Sequence, residues 1–181
     1  MKYAKTVTIK DNRQCLIKNA VSDDAQAVMD VFLLTHDQTD FLASYGDEGF
    51  FDVDFERRFL SAKEVSDKEV YLCSLIDGRI VGTASIDAVG RSKVGHRCEL
   101  GVAVDKDFCG IGIGRALVTA CIDCAKSAGY SQVELEVVSD NTGAITLYKS
   151  MGFTEFGRNP RGFLSRLNGW QELISMRLEL N

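Results

Sequence analysis

The stretch at residues 99–125, "ELGVAVDKDFCGIGIGRALVTACIDCA", decides the fold. It opens with an alternating apolar run, the pattern of a half-buried strand. Glycines follow at every second position: Gly110, Gly112 and Gly114. An amphipathic helical pattern then begins without a break. Ile113, Ala116, Leu117, Ala120, Cys121, Cys124 and Ala128 line one face, and Gly129 is placed to cap the end. A helix N-terminus presents unpaired N–H groups and the positive end of a dipole. Glycines let a ligand approach that backbone closely. Strand, bare loop and helix in this order make an anion site, most often for phosphate.

Two familiar phosphate loops do not fit. A Walker A loop ends in Gly-Lys-Ser/Thr, whereas Gly114 is followed by Arg115 and Ala116. A dinucleotide fingerprint, counted from Gly112, meets Leu117 where its third glycine belongs.

Outward from this unit, residues 15–20 read as a first strand. Residues 22–36 read as a helix capped by Ser22 or Asp23, with Ala25, Val28, Met29, Phe32 and Leu33 at helical spacing. Residues 52–62 read as a shorter helix with Phe55, Phe59 and Leu60 inward. Residues 69–89 hold two β-rich runs around Asp77-Gly78, a favoured two-residue hairpin turn. The fourth strand is "HRCELGVAV" and the fifth "SQVELEVV". A helix over 141–152 starts at Asn141 and stops at Gly152. Residues 153–158 and 171–180 read as the last strands. The order β-α-α-β-β-β-α-β-α-β-β predicts an α/β fold. One right-handed parallel crossover is set among hairpins, in a mixed sheet with helices on both faces.

The chain has 181 residues, one proline, 45% hydrophobic residues and a net charge of −5. That length suits one domain over 1–181 with a single core. The charge speaks against nucleic acid or an anionic membrane as partner. The first residues, "MKYAKTVTIKDNRQ", hold no apolar signal-peptide core, and no apolar run is long enough to span a bilayer. Six irregularly spaced cysteines read as reduced, buried thiols of a cytoplasmic protein. Cys121 and Cys124 form a C-x-x-C inside a helical pattern and read as small core residues, so no metal is expected.

Residues 102–118 resemble the acetyl-CoA-binding motif of the GNAT superfamily of N-acetyltransferases, [R/Q]-x-x-G-x-[G/A]. Gly112 and Gly114 take the glycine positions. Cys109 stands at the Arg/Gln position, which removes a polar or cationic side chain from the loop. Residues 139–153, "SDNTGAITLYKSMGF", are similar to the superfamily's second signature, with Asn141, Ala144, Leu147, Tyr148, Gly152 and Phe153 in place. The resemblance implies the GNAT fold, a mostly antiparallel sheet of six or seven strands. Its fourth and fifth strands splay apart around acetyl-CoA, with a bulge in the fourth. It implies pantetheine along the backbone of Val102, Ala103 and Val104. It implies pyrophosphate at Cys109, Gly110, Ile111, Gly112, Ile113, Gly114 and Arg115, with Asn141, Ala144 and Tyr148 on the other lip. Dimers are common in the superfamily, so a homodimer is a possible assembly.

Acetyl transfer to an amine requires the amine to be neutral, and an alkyl ammonium has a pKa of about 10.4. The resemblance makes Tyr148 the acid for the leaving thiolate. It makes Glu99 or Glu136 the base, with proton loss through water as a third route. The acceptor is an amine of unknown identity. The acidic segment 35–56 holds seven carboxylates and no Lys or Arg, which favours a small cationic amine. A protein N-terminus is also open. Phe41, Tyr45, Phe50 and Phe51 either wall a pocket there or anchor the segment. The alternative function is a non-catalytic acyl-CoA sensor on the same fold.

Overall fold

A computed structural model describes residues 1–48 and 52–180. Twelve long elements follow the predicted order with one addition. Strands β1 (Ala4–Thr8) and β2 (Gln14–Asn19) precede helices α1 (Ala25–Gln38) and α2 (Val53–Val65). Strands β3 (Val70–Ile76), β4 (Arg79–Ala88) and β5 (Arg97–Val104) lead into α3 (Ile113–Ser127). Strand β6 (Gln132–Val138), helix α4 (Thr142–Ser150) and strands β7 (Thr154–Ser165) and β8 (Gly169–Glu179) complete it.

All strands join one sheet in the order β1-β2-β3-β4-β5-β6-β8-β7. Only β5 and β6 are parallel, as the crossover through α3 requires. The sheet has eight strands, not six or seven, because β1 adds an edge. The predicted fourth and fifth strands are therefore β5 and β6. The β3–β4 turn places Asp77 and Gly78 at φ 50° and 80°, the geometry of a two-residue hairpin. Pro160 lies in β7, an edge strand, where a missing N–H breaks no ladder.

Helices α3 and α4 cover one face. Ile113, Leu117, Ala120, Cys121 and Cys124 pack there against Val81, Ile86, Cys98 and Val133. Helices α1 and α2 cover the other, where Val28, Val31 and Leu60 meet Cys73 and Ile80. Phe59 packs against that cluster, but Phe55 is 53% exposed, contrary to expectation. The inward stripe of α2 is instead Val53, Glu56, Phe59, Leu60 and Lys63, one helical face. Five cysteines are buried and Cys109 is exposed. Among the described residues no helix is long and apolar enough to cross a membrane.

Candidate active site

Pairing between β5 and β6 covers only Arg97↔Gln132, Cys98↔Val133 and Glu99↔Glu134. Beyond Glu99 the strands part, and β5 keeps only β4 as a neighbour. The splay therefore begins where pairing stops. No register shift interrupts β5 against β4, so the expected bulge in this strand is absent; a shift falls instead between β3 and β4. The freed edge of β5 exposes ladder groups that an extended ligand can pair with.

The glycine loop lies past the end of that edge. Asp105 fixes the turn into it: only 1% exposed, its carboxylate accepts from Gln38 at 3.0 Å and Arg79 at 2.7 Å. Gly110 and Gly112 have φ of 79° and 107°, values that favour glycine, and a Cβ at either would meet open space. Gly114 lies within α3. A Cβ there would lie 3.4 Å from Leu147 Cδ2, at the edge of ordinary contact between α3 and α4. The N–H groups of residues 110–115 find no acceptor among the described residues. This run of free donors at a helix N-terminus fits a diphosphate.

A cavity of about 1060 Å³ joins these parts. Val102, Ala103 and Val104 of β5, residues 109–112 with Gly114 and Arg115 of the loop, and Asn141, Ala144 and Tyr148 line it. The predicted cofactor residues thus come together, except that Ile113 turns its side chain into the core. Asn141 caps α4 by accepting from Ala144 N at 3.2 Å. The Tyr148 hydroxyl makes no hydrogen bond among the described residues, and burial pushes its pKa up to about 12.

Residues 31–153 match the Acetyltransferase (GNAT) family. The chain belongs to this family. Over 83 residues it is 35% identical to the L-amino acid N-acetyltransferase AaaT of Escherichia coli, covering 45% of this chain and 51% of that protein. Over 80 residues it is 36% identical to the ribosomal protein bS18-alanine N-acetyltransferase of Escherichia coli, covering 44% and 53%. The chain spans about half the length of these curated relatives. A yncA structure from Salmonella typhimurium, a putative acetyltransferase with its cofactor acetyl-CoA, shares the fold at a TM-score of 0.82 and 24% identity, over 92% of this chain and 94% of that one.

In this GNAT fold the two glutamates lie apart from Tyr148. Glu99 and Glu136 line a second cavity of about 250 Å³ together with Glu134, Leu100, Leu135 and Phe156. The two cavities share no lining residue: the large one meets β5 at residues 102–104, past the end of its pairing with β6, and the small one meets it at Glu99 and Leu100, where that pairing stops. Asp87, Glu99 and Glu134 form a row across β4, β5 and β6. Lys63, mostly buried on α2, bonds Asp87 at 2.5 Å and Glu69 at 2.9 Å. Arg97 bonds Glu134 at 3.1 Å. Ser175 donates to Glu136 at 3.3 Å. Only Glu99, between two neutralised neighbours, has no side-chain partner among the described residues.

Three of the seven acids of the acidic segment are held within the fold. Arg166 at the β7–β8 tip bonds Asp47 at 2.8 Å and Glu48 at 3.2 Å, and stacks 4.2 Å over Tyr45. Asp40 accepts from Ser165, Asn168 and Gln171, and the bonds from Ser165 first, then Asn168 and Tyr45, hold its pKa below the usual range. These acids tie the segment to the hairpin rather than wait for a substrate. Phe41 lines the large cavity, Tyr45 anchors the segment, and Phe50 and Phe51 lie outside the described residues. His36 closes α1 with Nδ1 at 2.7 Å from the Phe32 carbonyl, and burial lowers its pKa; His96 is exposed. Lys5, Lys10 and Gln38 also line the large cavity, and local sequence pattern had no way to place them there.

Proposed function

We propose that this chain is a cytoplasmic enzyme that transfers an acetyl group from acetyl-CoA to a primary amine. The observation that carries the reading is the single cavity that joins the free donors of the glycine loop, the unpaired edge of β5 and the Tyr148 side chain. The residues present fit the cofactor: free N–H groups for the diphosphate, backbone of Val102 and Val104 for pantetheine, and a phenol beyond them. Acetyl-CoA supplies an activated acetyl thioester. Glu99, at the point where β5 and β6 part, takes a proton from the acceptor's ammonium and leaves a nucleophilic nitrogen. As the C–N bond forms and the C–S bond breaks, the Tyr148 hydroxyl donates a hydrogen bond to the departing sulfur. At a pKa of about 12 it keeps its proton at neutral pH. A free thiol has a pKa of about 8.5, so the phenol stabilises the thiolate without surrendering its proton, and solvent completes the thiol.

The acceptor side favours a cationic amine with no carboxylate beside it. Glu99, Glu134 and Glu136 line the small cavity, and no cationic residue does. An α-carboxylate carried there would meet like charge, whereas a diamine or a peptide N-terminus would not. The test is thiol release from acetyl-CoA with a matched panel: a diamine, an amino acid amide, and the same amino acid with a free carboxylate. The amine and amide should react about tenfold faster than the acid, a difference of about 1.4 kcal/mol. Preference for the free acid would overturn the acceptor assignment. No release with any amine, despite acetyl-CoA binding, would make the protein an acyl-CoA sensor.

A further inference from the structure

The β1–β2 turn is stapled to the glycine loop. Lys10 N donates to the Ile111 carbonyl at 2.9 Å, and Lys10 Nζ donates to the Gly110 carbonyl at 3.1 Å. Next to it, the Arg13 guanidinium sits 5.3 Å from the Phe108 ring, just before the loop. In a trans peptide the C=O and the following N–H point in opposite directions. Holding the carbonyls of Gly110 and Ile111 therefore turns the N–H groups of Ile111 and Gly112 the other way, and neither has an acceptor among the described residues. An ammonium has three donors. One of them is used here, so the rest are free, and Lys10 lines the same cavity as the loop.

Lys5 and Lys106 also line the cavity, but within residues 109–115 the only cation is Arg115. Cys109 stands where the superfamily motif carries Arg or Gln; packing and the Asp105 carboxylate push its thiol above the ordinary value, so it is neutral. The Arg115 guanidinium is turned to Ser150 Oγ on α4, at 2.6 Å.

We propose that Lys10, about a hundred residues before the loop, is part of the diphosphate site: from the carbonyl side it orients two of the loop's N–H donors, and its charge adds at longer range to the positive field that position 109 no longer supplies. This rests on the acetyl-CoA reading above and assigns the role to the β1–β2 turn, which the sequence pattern does not reveal. Lysine acts on phosphate as a point charge, so its place can be taken by another cation of similar reach.

Calorimetric titration tests it, with coenzyme A and dephospho-coenzyme A as probes. Lys10→Met should weaken both by about tenfold or more, since a charge-assisted contact is worth about 1.5–3 kcal/mol. Its melting temperature without ligand should stay near the parent's, because Nζ is exposed. Lys10→Arg, and Lys10→Met combined with Cys109→Arg, should each regain most of the affinity. Unchanged affinity in Lys10→Met would overturn the proposal. So would a loss confined to coenzyme A, which would place Lys10 on the 3′-phosphate, or a loss that neither arginine restores. If the parent itself binds neither probe, the acetyl-CoA reading fails instead, a distinguishable result.

Discussion

Tyr148→Phe is expected to lower kcat by about 100- to 1000-fold while acetyl-CoA affinity stays within about twofold, as for loss of a donor used only in the transition state. The ring packs 5.7 Å from Phe153, inside the shared core, and phenylalanine preserves that packing. The hydroxyl has no hydrogen-bond partner among the described residues, so its removal orphans nothing. Its pKa of about 12 adds a sign to the test. The phenol is protonated at all pH values well below 12, and its donor is lost only as pH rises through that value. The variant's pH profile between about 6 and 10 should therefore keep the parent's shape at a lower level. An unchanged kcat would return Tyr148 to a packing role.

Glu99→Gln is expected to lower kcat/KM by about 100-fold and to flatten the acidic limb of the pH profile, the signature of a lost carboxylate base. Glutamine keeps the shape and loses the basicity. Glu136→Gln and Glu134→Gln should cost less, because Ser175 and Arg97 already engage those carboxylates. Glu99 faces the strand gap with Asp87 held by Lys63 on one side and Glu134 held by Arg97 on the other. If all three variants keep the parent's rate and limb, no strand carboxylate is the base, and the amine loses its proton to water.

What the sequence revealed follows from how local each requirement is. Gly110 and Gly112 are legible because a positive φ is written in the residue itself. The Asp77-Gly78 turn is legible for the same reason, and the Asn141 cap because its side-chain oxygen accepts a helix N–H. Strand β1 was not read: "AKTVT" is almost wholly exposed at a sheet edge, so it carries no buried alternation. Phe55 was misplaced because three aromatic and aliphatic residues suggested an inward face, whereas Leu60 and Lys63 set the true one. The buried Lys63 was invisible since its partners Glu69 and Asp87 come from other elements. In segment 35–56 charge counting likewise does not show that Asp47 and Glu48 are held, because their cation, Arg166, is more than a hundred residues away. Glu99 and Glu136 could not be ranked until their neighbours across the sheet were known.

The central claim is that the glycine loop and the adjoining cavity hold acetyl-CoA, and thermal unfolding with the cofactor tests it most directly. At about 100 times its Kd, acetyl-CoA should add about 2.7 kcal/mol of stability by mass action. For a chain of this size that raises the melting temperature by about 5–10 °C. Gly112→Val places a branched side chain at a φ of 107°, in the open space beside the free N–H groups. It should still fold, less stably by about 1–3 kcal/mol, and show no shift with the cofactor. A parent protein whose melting temperature does not move with acetyl-CoA would contradict the assignment of this cavity.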